Sequence, residues 1–498
     1  MTDESRAPRS VMSLAAPLIV SFWMRAAFTF VDTAYASTIG DEAVAAIGLA
    51  VPFEFVMIAL WVGMSTGLTS NLSRAMGAGQ SERIEQYKTA AGLLILLVMP
   101  VFFLLGAGIW LLAERVGLEP GVASAFKIYG SVLISGSALT AFWSVLPDSI
   151  VKAHQDTKST MWAGIASNVI NVVLNTIFLF VLEWGVFGIA LSTVLGRIGG
   201  LVYALRVAKR HEDARRARDE ARTDRDRSSD PKPVRALLAL AIPSGLTFSL
   251  MAIESGLING LLARLPNATE AIAAYSIYYR VTSFSLNPII AVGIALLPYA
   301  ANRYGDRDAP GLRRGIREAG QFSVLYTLLF VTPAMLLLGG TLARALAESP
   351  LTTEYAATAM LIVPGACLLS IAFLLCRPVF EGMNNGKPGL VVALIRYLLL
   401  TAPGAWLGIR IAEGLGQPAL YGLMAGLLVV SGLSSLIFGA WLAIALRRID
   451  QEFGADSPET PGESAKETNR ETTKEIAWAA GETPGSSAAK ASDSPDAS

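Results

Sequence analysis

From Val11 to about Arg448, apolar stretches of twenty or more residues alternate with short polar breaks carrying glycine, proline or charge. An α-helix rises about 1.5 Å per residue, so about 20 apolar residues cross roughly 30 Å of hydrocarbon. The pattern predicts an all-α membrane protein with twelve transmembrane helices, beginning near Val11, Val44, Thr89, Val122, Thr160, Val186, Ala236, Ala271, Glu318, Thr353, Gly389 and Tyr421. No run of alternating short strands competes with that reading. The breaks "AMGAGQSERIEQYK", "KAHQDTK", "KRHEDARRARDEARTDRDRSSDPKPVR" and "ANRYGDRDAPGLRRGIRE" are rich in Lys and Arg, and they alternate with poor ones such as "GDEA" and "EWG". The positive-inside rule then puts both termini of a multi-pass cell-membrane protein in the cytoplasm.

The longest break, residues 209–235, separates six spans from six, and its interleaved acids and bases read as a solvated linker rather than a lipid-binding patch. The halves repeat. "LAAPL" at Leu14 returns as "LAIPS" at Leu240, "SRAMGAGQSERIEQYKTAAG" aligns with "ANRYGDRDAPGLRRGIREAG", and "FWSVLPDSIVKAHQDTK" with "FLLCRPVFEGMNNGK", all displaced by 226 to 231 positions. Six spans per half keep the orientation, so the repeats are parallel, with a pseudo-two-fold axis along the membrane normal. Secondary transporters use this plan and place their substrate between the repeats. The expected organisation is a cytoplasmic N-terminus (1–10), an N-lobe (11–208), the linker (209–235), a C-lobe (236–448) and a disordered cytoplasmic tail (449–498).

Composition agrees: 53% of the 498 residues are hydrophobic and 16% charged, too apolar for a soluble chain of this size. The net charge of zero hides a split, since the chain from Asp450 onward holds eleven acids and four bases, leaving the spans and their connections at +7. The first apolar run is too long for a signal-peptide core and reads as a retained helix. Cys367 and Cys376, and His154 and His211, have spacings that suit neither disulfides nor structural zinc, and no cofactor is expected.

Chemistry then rests on polar residues within the spans. An ionisable side chain near mid-span costs about 2.5–3.5 kcal/mol on the mildest insertion scale, so Asp32 needs a partner or a task. Arg197 is the structural partner, Arg25 a more distant one; the functional alternative is a hydrated pocket in which Asp32 exchanges a proton or a monovalent cation. Asn168, Asn171 and Asn175 share one face of the fifth span, where amides can bind a cation, bind a carboxylate or hold helices together. Thr193 and Arg197 lie one turn apart on the sixth span, Asp148 follows Pro147 in the fourth, and Glu254 sits midway along the seventh, either as a functional group or as a capped structural acid. Glu54 and Glu381 are placed nearer span ends, in snorkelling or loop roles. Pro17 shares the first helix with Asp32 and is the candidate hinge.

These residues, with "VDTAYASTIGDEAVAAIGLAVP", "RAMGAGQ", "NVINVVLN" and the prolines opening both halves, resemble the multidrug and toxic compound extrusion (MATE) family, in particular its DinF-like prokaryotic branch. The resemblance covers about Val11 to Arg448. It implies a cation-coupled antiporter, not an enzyme, whose two lobes enclose a V-shaped cavity and which works by alternating access. It also implies a cation or proton site of Asp32, Asp148, Asn171, Asn175 and Thr193, with Na⁺ held at Asp32, Asn171, Asn175 and Thr193 if the coupling ion is Na⁺ rather than H⁺. Asn168, Arg197 and Glu254 form a secondary set. Where relatives commonly carry a carboxylate this chain has Asn175, and Asp148 stands where an amide is common. Glu254 resembles a seventh-span acid of the NorM-like branch, whose tenth-span acidic partner is missing here. The expected cargo is an amphiphilic organic cation, handled by a monomer in the lipid bilayer without nucleic-acid partners. A lipid-linked oligosaccharide or polysaccharide flippase of the same superfamily is the alternative, favoured by Arg25, Arg197 and Arg377. An intramembrane transferase is more remote, because no repeated DxxxD, HExxH or nucleophile elbow is present.

Overall fold

The computed structural model describes residues 10–220 and 228–455; within these, the side chains of residues 25–31, 33, 220, 454 and 455 fall outside the description. The first nine residues, the tail beyond residue 455 and the Arg25 side chain therefore lie outside the described part, with the expectations placed on them. Among the described residues twelve helices follow one another: α1 (Val11–Ser37), α2 (Asp41–Gly77), α3 (Ser81–Leu112), α4 (Pro120–Ala153), α5 (Thr157–Val181), α6 (Gly185–Glu220), α7 (Pro233–Leu262), α8 (Ala268–Gly305), α9 (Ala309–Leu346), α10 (Pro350–Gly382), α11 (Lys387–Gly414) and α12 (Ala419–Ala455). Eleven are long and apolar enough to cross a membrane, and α1 adds the apolar stretch Val11–Met24. The chain is a multi-pass membrane protein. Every expected span holds one helix, but α3 starts at Ser81 rather than Thr89 and α9 at Ala309 rather than Glu318, because their first turns are charged and stand beyond the apolar segment.

Sequence sets the helix ends. Ser10, Asp156, Asp308 and Ser349 accept backbone N–H bonds at the starts of α1, α5, α9 and α10, and proline occupies the first turn of α4, α7, α9, α10 and α11, where its missing N–H costs nothing. A π-helical segment closes α5 at Ile177–Val181, and others interrupt α9 at Thr327–Val331 and α11 at Leu394–Leu400. Such turns commonly mark functional segments of a helix.

The linker departs from expectation: α6 runs on to Glu220, so its first dozen residues are helical. Charges three and four apart share a helix face, as Arg215 and Asp219 do at 2.7 Å, and here that face meets α3: Lys88 pairs with Glu212 at 2.6 Å and Arg215 with Glu85 at 2.5 Å. His154 and His211, distant in sequence, stack with ring centroids 4.9 Å apart.

Short connections make successive helices antiparallel, so the starts of odd helices and the ends of even ones share the end of the bundle bearing the Lys- and Arg-rich connections, termed the basic end. The described residues up to Leu446 form one compact unit. Within it the halves pack alike: α2 on α4 as α8 on α10, α3 on α4 as α9 on α10, and α1 on α8 as α7 on α2.

The seam between halves explains the repeated glycines. A Cβ on Gly77 would collide with the Asn302 carbonyl, and one on Gly305 with the Arg74 carbonyl. These two contacts exchange under the 228-residue displacement that aligns the repeats. Gly63 and Gly67 likewise meet the Ala241 and Leu237 carbonyls of α7, and Ser70 donates to the Glu381 carbonyl at 2.6 Å. Positions 52, 56, 60, 63, 67, 70, 74 and 77 form one stripe at helical spacing. Gly63, Gly67 and Ser70 are buried, whereas Val56 is 54% and Leu60 39% exposed. The same transition runs along α8, from exposed Arg280 and Phe284 to buried Pro288, Ala291, Ala295 and Pro298. Two stripes buried at one end and bare at the other define halves that touch at the basic end and diverge away from it, leaving a cleft.

Candidate functional site

Asp32 lies five residues from the end of α1, in the half of the bundle away from the basic end. Three side chains from two helices converge on its carboxylate. Asn175 donates to Oδ1 at 2.7 Å and Asn171 at 3.4 Å, both from one face of α5, and Thr193 of α6 donates to Oδ2 at 3.2 Å. The amides are themselves held: Ser192 donates to Asn175 Oδ1 at 2.6 Å, and Asn171 Nδ2 lies 3.1 Å from Thr193 Oγ1. Just beyond, Tyr35 and Thr176 share a 2.7 Å hydroxyl bond at the entrance to the π-helical turn of α5. Asn175 and Ser192 are fully buried, and the Asp32 residue is partly exposed. A carboxylate so surrounded is solvated by fixed donors in place of water, which is how an embedded charge is tolerated.

Thr193 has one hydroxyl proton and two acceptors, Asp32 Oδ2 and the Ile189 carbonyl at 3.0 Å. It can bond the ionised carboxylate, or turn to Ile189 and accept from a protonated one, without moving a heavy atom. The donor set suits Na⁺ by element, since carboxylate, amide and hydroxyl oxygens are hard ligands. As arranged, however, both amides present N–H groups to Asp32, and Na⁺ would require them to turn.

The MatE family model matches residues 17–177 and 243–407. The chain belongs to the MatE family. Among its relatives, a FAD transporter of Shewanella oneidensis is 22% identical over 91% of this chain and 97% of its own. A probable multidrug resistance protein NorM of Bradyrhizobium diazoefficiens is 26% identical over 86% of this chain and 92% of its own. Among solved structures, the outward-facing conformation of a multidrug resistance MATE family transporter of the MOP superfamily superposes with a TM-score of 0.78 at 21% identity, covering 89% of this chain and 96% of that one. This MatE protein is a membrane transporter rather than an enzyme.

The other expected site residues divide. Asp148 does not join the Asp32 cluster of this MatE chain. It lies five residues from the end of α4, which closes at the basic end, so about 25 Å of helix separates its level from that of Asp32. Its partner is Lys152, one turn on, at 2.6 Å, with the ammonium 5.5 Å from the centre of the Trp61 ring. Arg197 does not lock Asp32 either. It pairs with Glu54 of α2 at 3.2 Å and donates to Ser137 of α4. Glu54 is thus inside the N-terminal half and not a snorkelling end residue. Glu381 does lie one residue from the end of α10, as expected, but instead of snorkelling it is 5% exposed and bonded by Ser244 at 2.5 Å and Arg377 at 2.8 Å. Asn168 sits one turn from Asn171 without reaching Asp32. Glu254 accepts from Thr401 at 2.8 Å, beside the π-helical turn of α11, and that turn carries Arg396, whose guanidinium bonds Ser431 and lies 4.5 Å from the Phe373 ring centre. The α1 helix continues unbroken through Pro17.

Sequence reading missed Ser192, which fixes the Asn175 amide, and Glu54. The second had a signal: an arginine embedded one turn after Thr193 demands an acid. At the basic end Asp156 caps α5 and meets His211 at 3.0 Å. Burial pushes its carboxyl up, but hydrogen bonds from Ser159 and His211 outweigh this and hold it below the ordinary carboxylate value.

Proposed function

We propose that this MatE transporter is a multidrug exporter of amphiphilic organic compounds, driven by inward movement of a cation that loads at Asp32. The observation that carries the reading is the Asp32 carboxylate, free of any guanidinium partner among the described residues and held by Asn171, Asn175 and Thr193 from two further helices. The proton is the favoured ion, because Thr193 can exchange its donor and acceptor roles in place while Na⁺ needs both amides reoriented. Loading removes the charge that the three donors solvate, which weakens the tie of α1 to α5 and α6; Pro17, about 22 Å along the helix, is where α1 can bend in response. Coupling follows if loaded and unloaded forms favour different openings of the cleft, since a ligand that binds both equally shifts nothing. The multidrug resistance relatives and the FAD transporter support an organic cargo.

The test is reconstitution in liposomes with Na⁺ and pH gradients imposed separately and dye movement followed. Wild type is expected to respond to the pH gradient, and Asp32→Asn to lose at least tenfold of that response while still binding dye. Equal transport by the mutant, or a response to Na⁺ alone, refutes the proton reading at Asp32.

A further inference from the structure

The cleft has a charge that the Asp32 reading does not use. Arg280 lies on the exposed part of the α8 stripe, one turn before Phe284. It stands twelve residues from the start of α8, about 18 Å along the helix and so near the middle of the hydrocarbon layer. A guanidinium facing lipid at that depth would be costly, whereas one facing a hydrated cleft is not. No hydrogen bond or ion pair engages it among the described residues. The embedded acids are committed elsewhere: Glu54 to Arg197 and Glu254 to Thr401, while Glu381, bonded by Arg377 and Ser244, lies one residue from the end of α10 at the basic end, far from the level of Arg280. Glu254 sits about 140° around α7 from Ala241, the residue of that helix that meets Gly63, and so faces away from the cleft. The Phe284 ring lies nearly parallel to Trp23 of α1, with centroids 6.4 Å apart and planes 14° apart, and the two residues are 52% and 41% exposed. The symmetry-related positions on α2, Pro52 and Val56, are uncharged.

We propose that the cleft binds flat aromatic compounds carrying a negative charge, with the ring stacked on Trp23 or Phe284 and the anionic group on Arg280. A cationic cargo, as the family resemblance implies, would call for an acid on the cleft wall, whereas Glu54, Glu254 and Glu381 turn inward within their own halves. Arginine suits the task because its planar fork meets carboxylate, sulfonate and phosphate oxygens two at a time. The site deepens the export reading, but its occupancy needs no gradient, so binding tests it separately.

The experiment is equilibrium binding to the full-length protein in lipid nanodiscs, read by fluorescence anisotropy with two dyes that share one ring system, anionic carboxyfluorescein and cationic rhodamine 6G. Wild type is expected to bind carboxyfluorescein the more tightly. Arg280→Gln should weaken it at least tenfold and leave rhodamine 6G unchanged or tighter, Arg280→Lys should recover part of the loss, and Phe284→Ala should weaken both dyes. Unaltered rhodamine 6G binding also shows that the Arg280→Gln protein is folded. Dodecyl phosphate, an anion without a ring, should compete poorly. Preference of wild type for rhodamine 6G, an Arg280→Gln protein that binds both dyes as before, or competition by dodecyl phosphate as strong as that of the dye would each overturn the proposal. Intact anion selectivity without gradient-driven transport would count against the coupling reading alone.

Discussion

Replacing Gly77 and Gly305 by alanine puts two methyl groups where the halves meet. The obstacles are the backbone carbonyls of Asn302 and Arg74, which cannot rotate aside as a side chain would. Overpacking of this kind costs about 1–3 kcal/mol. The two sites lie on one seam, so a single separation relieves both and their effects do not simply add. A bias of about 1–3 kcal/mol moves the ratio of closed to separated seams by roughly 5- to 150-fold. Both glycines are the last residues of their helices, where the interior propensity advantage of alanine does not apply, and the helices persist in both arrangements, so propensity adds no bias. The seam should therefore open at the basic end while the helices themselves stay folded. Spin labels at residues 78 and 306, just past the two glycines, report the change by pulsed electron resonance in nanodiscs once Cys367 and Cys376 are replaced. A longer-distance population should grow in the double mutant and not in Gly92→Ala, where a Cβ meets open space. An unchanged distance distribution in Gly77→Ala/Gly305→Ala would refute the idea that this seam holds the closed end.

Glu54→Gln leaves Arg197 without its acid and is expected to cut gradient-driven transport at least tenfold, whereas Glu54→Gln/Arg197→Gln, which removes both charges, should recover most of it; a double mutant no better than the single one contradicts the pairing. Asp156→Ala removes the cap of α5 and should lower stability by about 1 kcal/mol, read from thermal unfolding in detergent. Because the folded carboxyl titrates below its ordinary 3.8, its contribution is fully present above that value and is lost only as pH falls through the lower one. The deficit should therefore persist from pH 7 to pH 5, and one that closed over this range would exclude the capping role.

Much of the frame was legible because it follows from local rules. Apolar length gave the twelve helices, and the displaced repeats gave the symmetry that the reciprocal Gly77 and Gly305 contacts display. Asn171 and Asn175 on one face, with Asp32 and Thr193 at matching depth, could be grouped from spacing and helix direction. The same direction argument would have separated Asp148 from them, since it sits late on a helix running the other way, with Lys152 one turn on. Pairings between helices were less accessible. Whether Arg197 meets Asp32 or Glu54 depends on helix rotation and tilt, which packing sets. The charged connection misled because interleaved acids and bases look alike whether solvated or bonded across two helices, as Lys88, Glu212 and Arg215 are. Arg280 passed unnoticed because its meaning lies in what does not approach it.

The exchange of Gly77 and Gly305 has a bearing on assembly. A surface in which each member meets the other's counterpart is self-complementary, the geometry of an isologous dimer. Two separate six-helix chains of suitable sequence could therefore associate about the same axis and enclose the same cleft. Joining them in one polypeptide frees each half to change alone, and the uneven pairing of Pro52 with Arg280 on opposite walls is a difference that identical subunits could never possess.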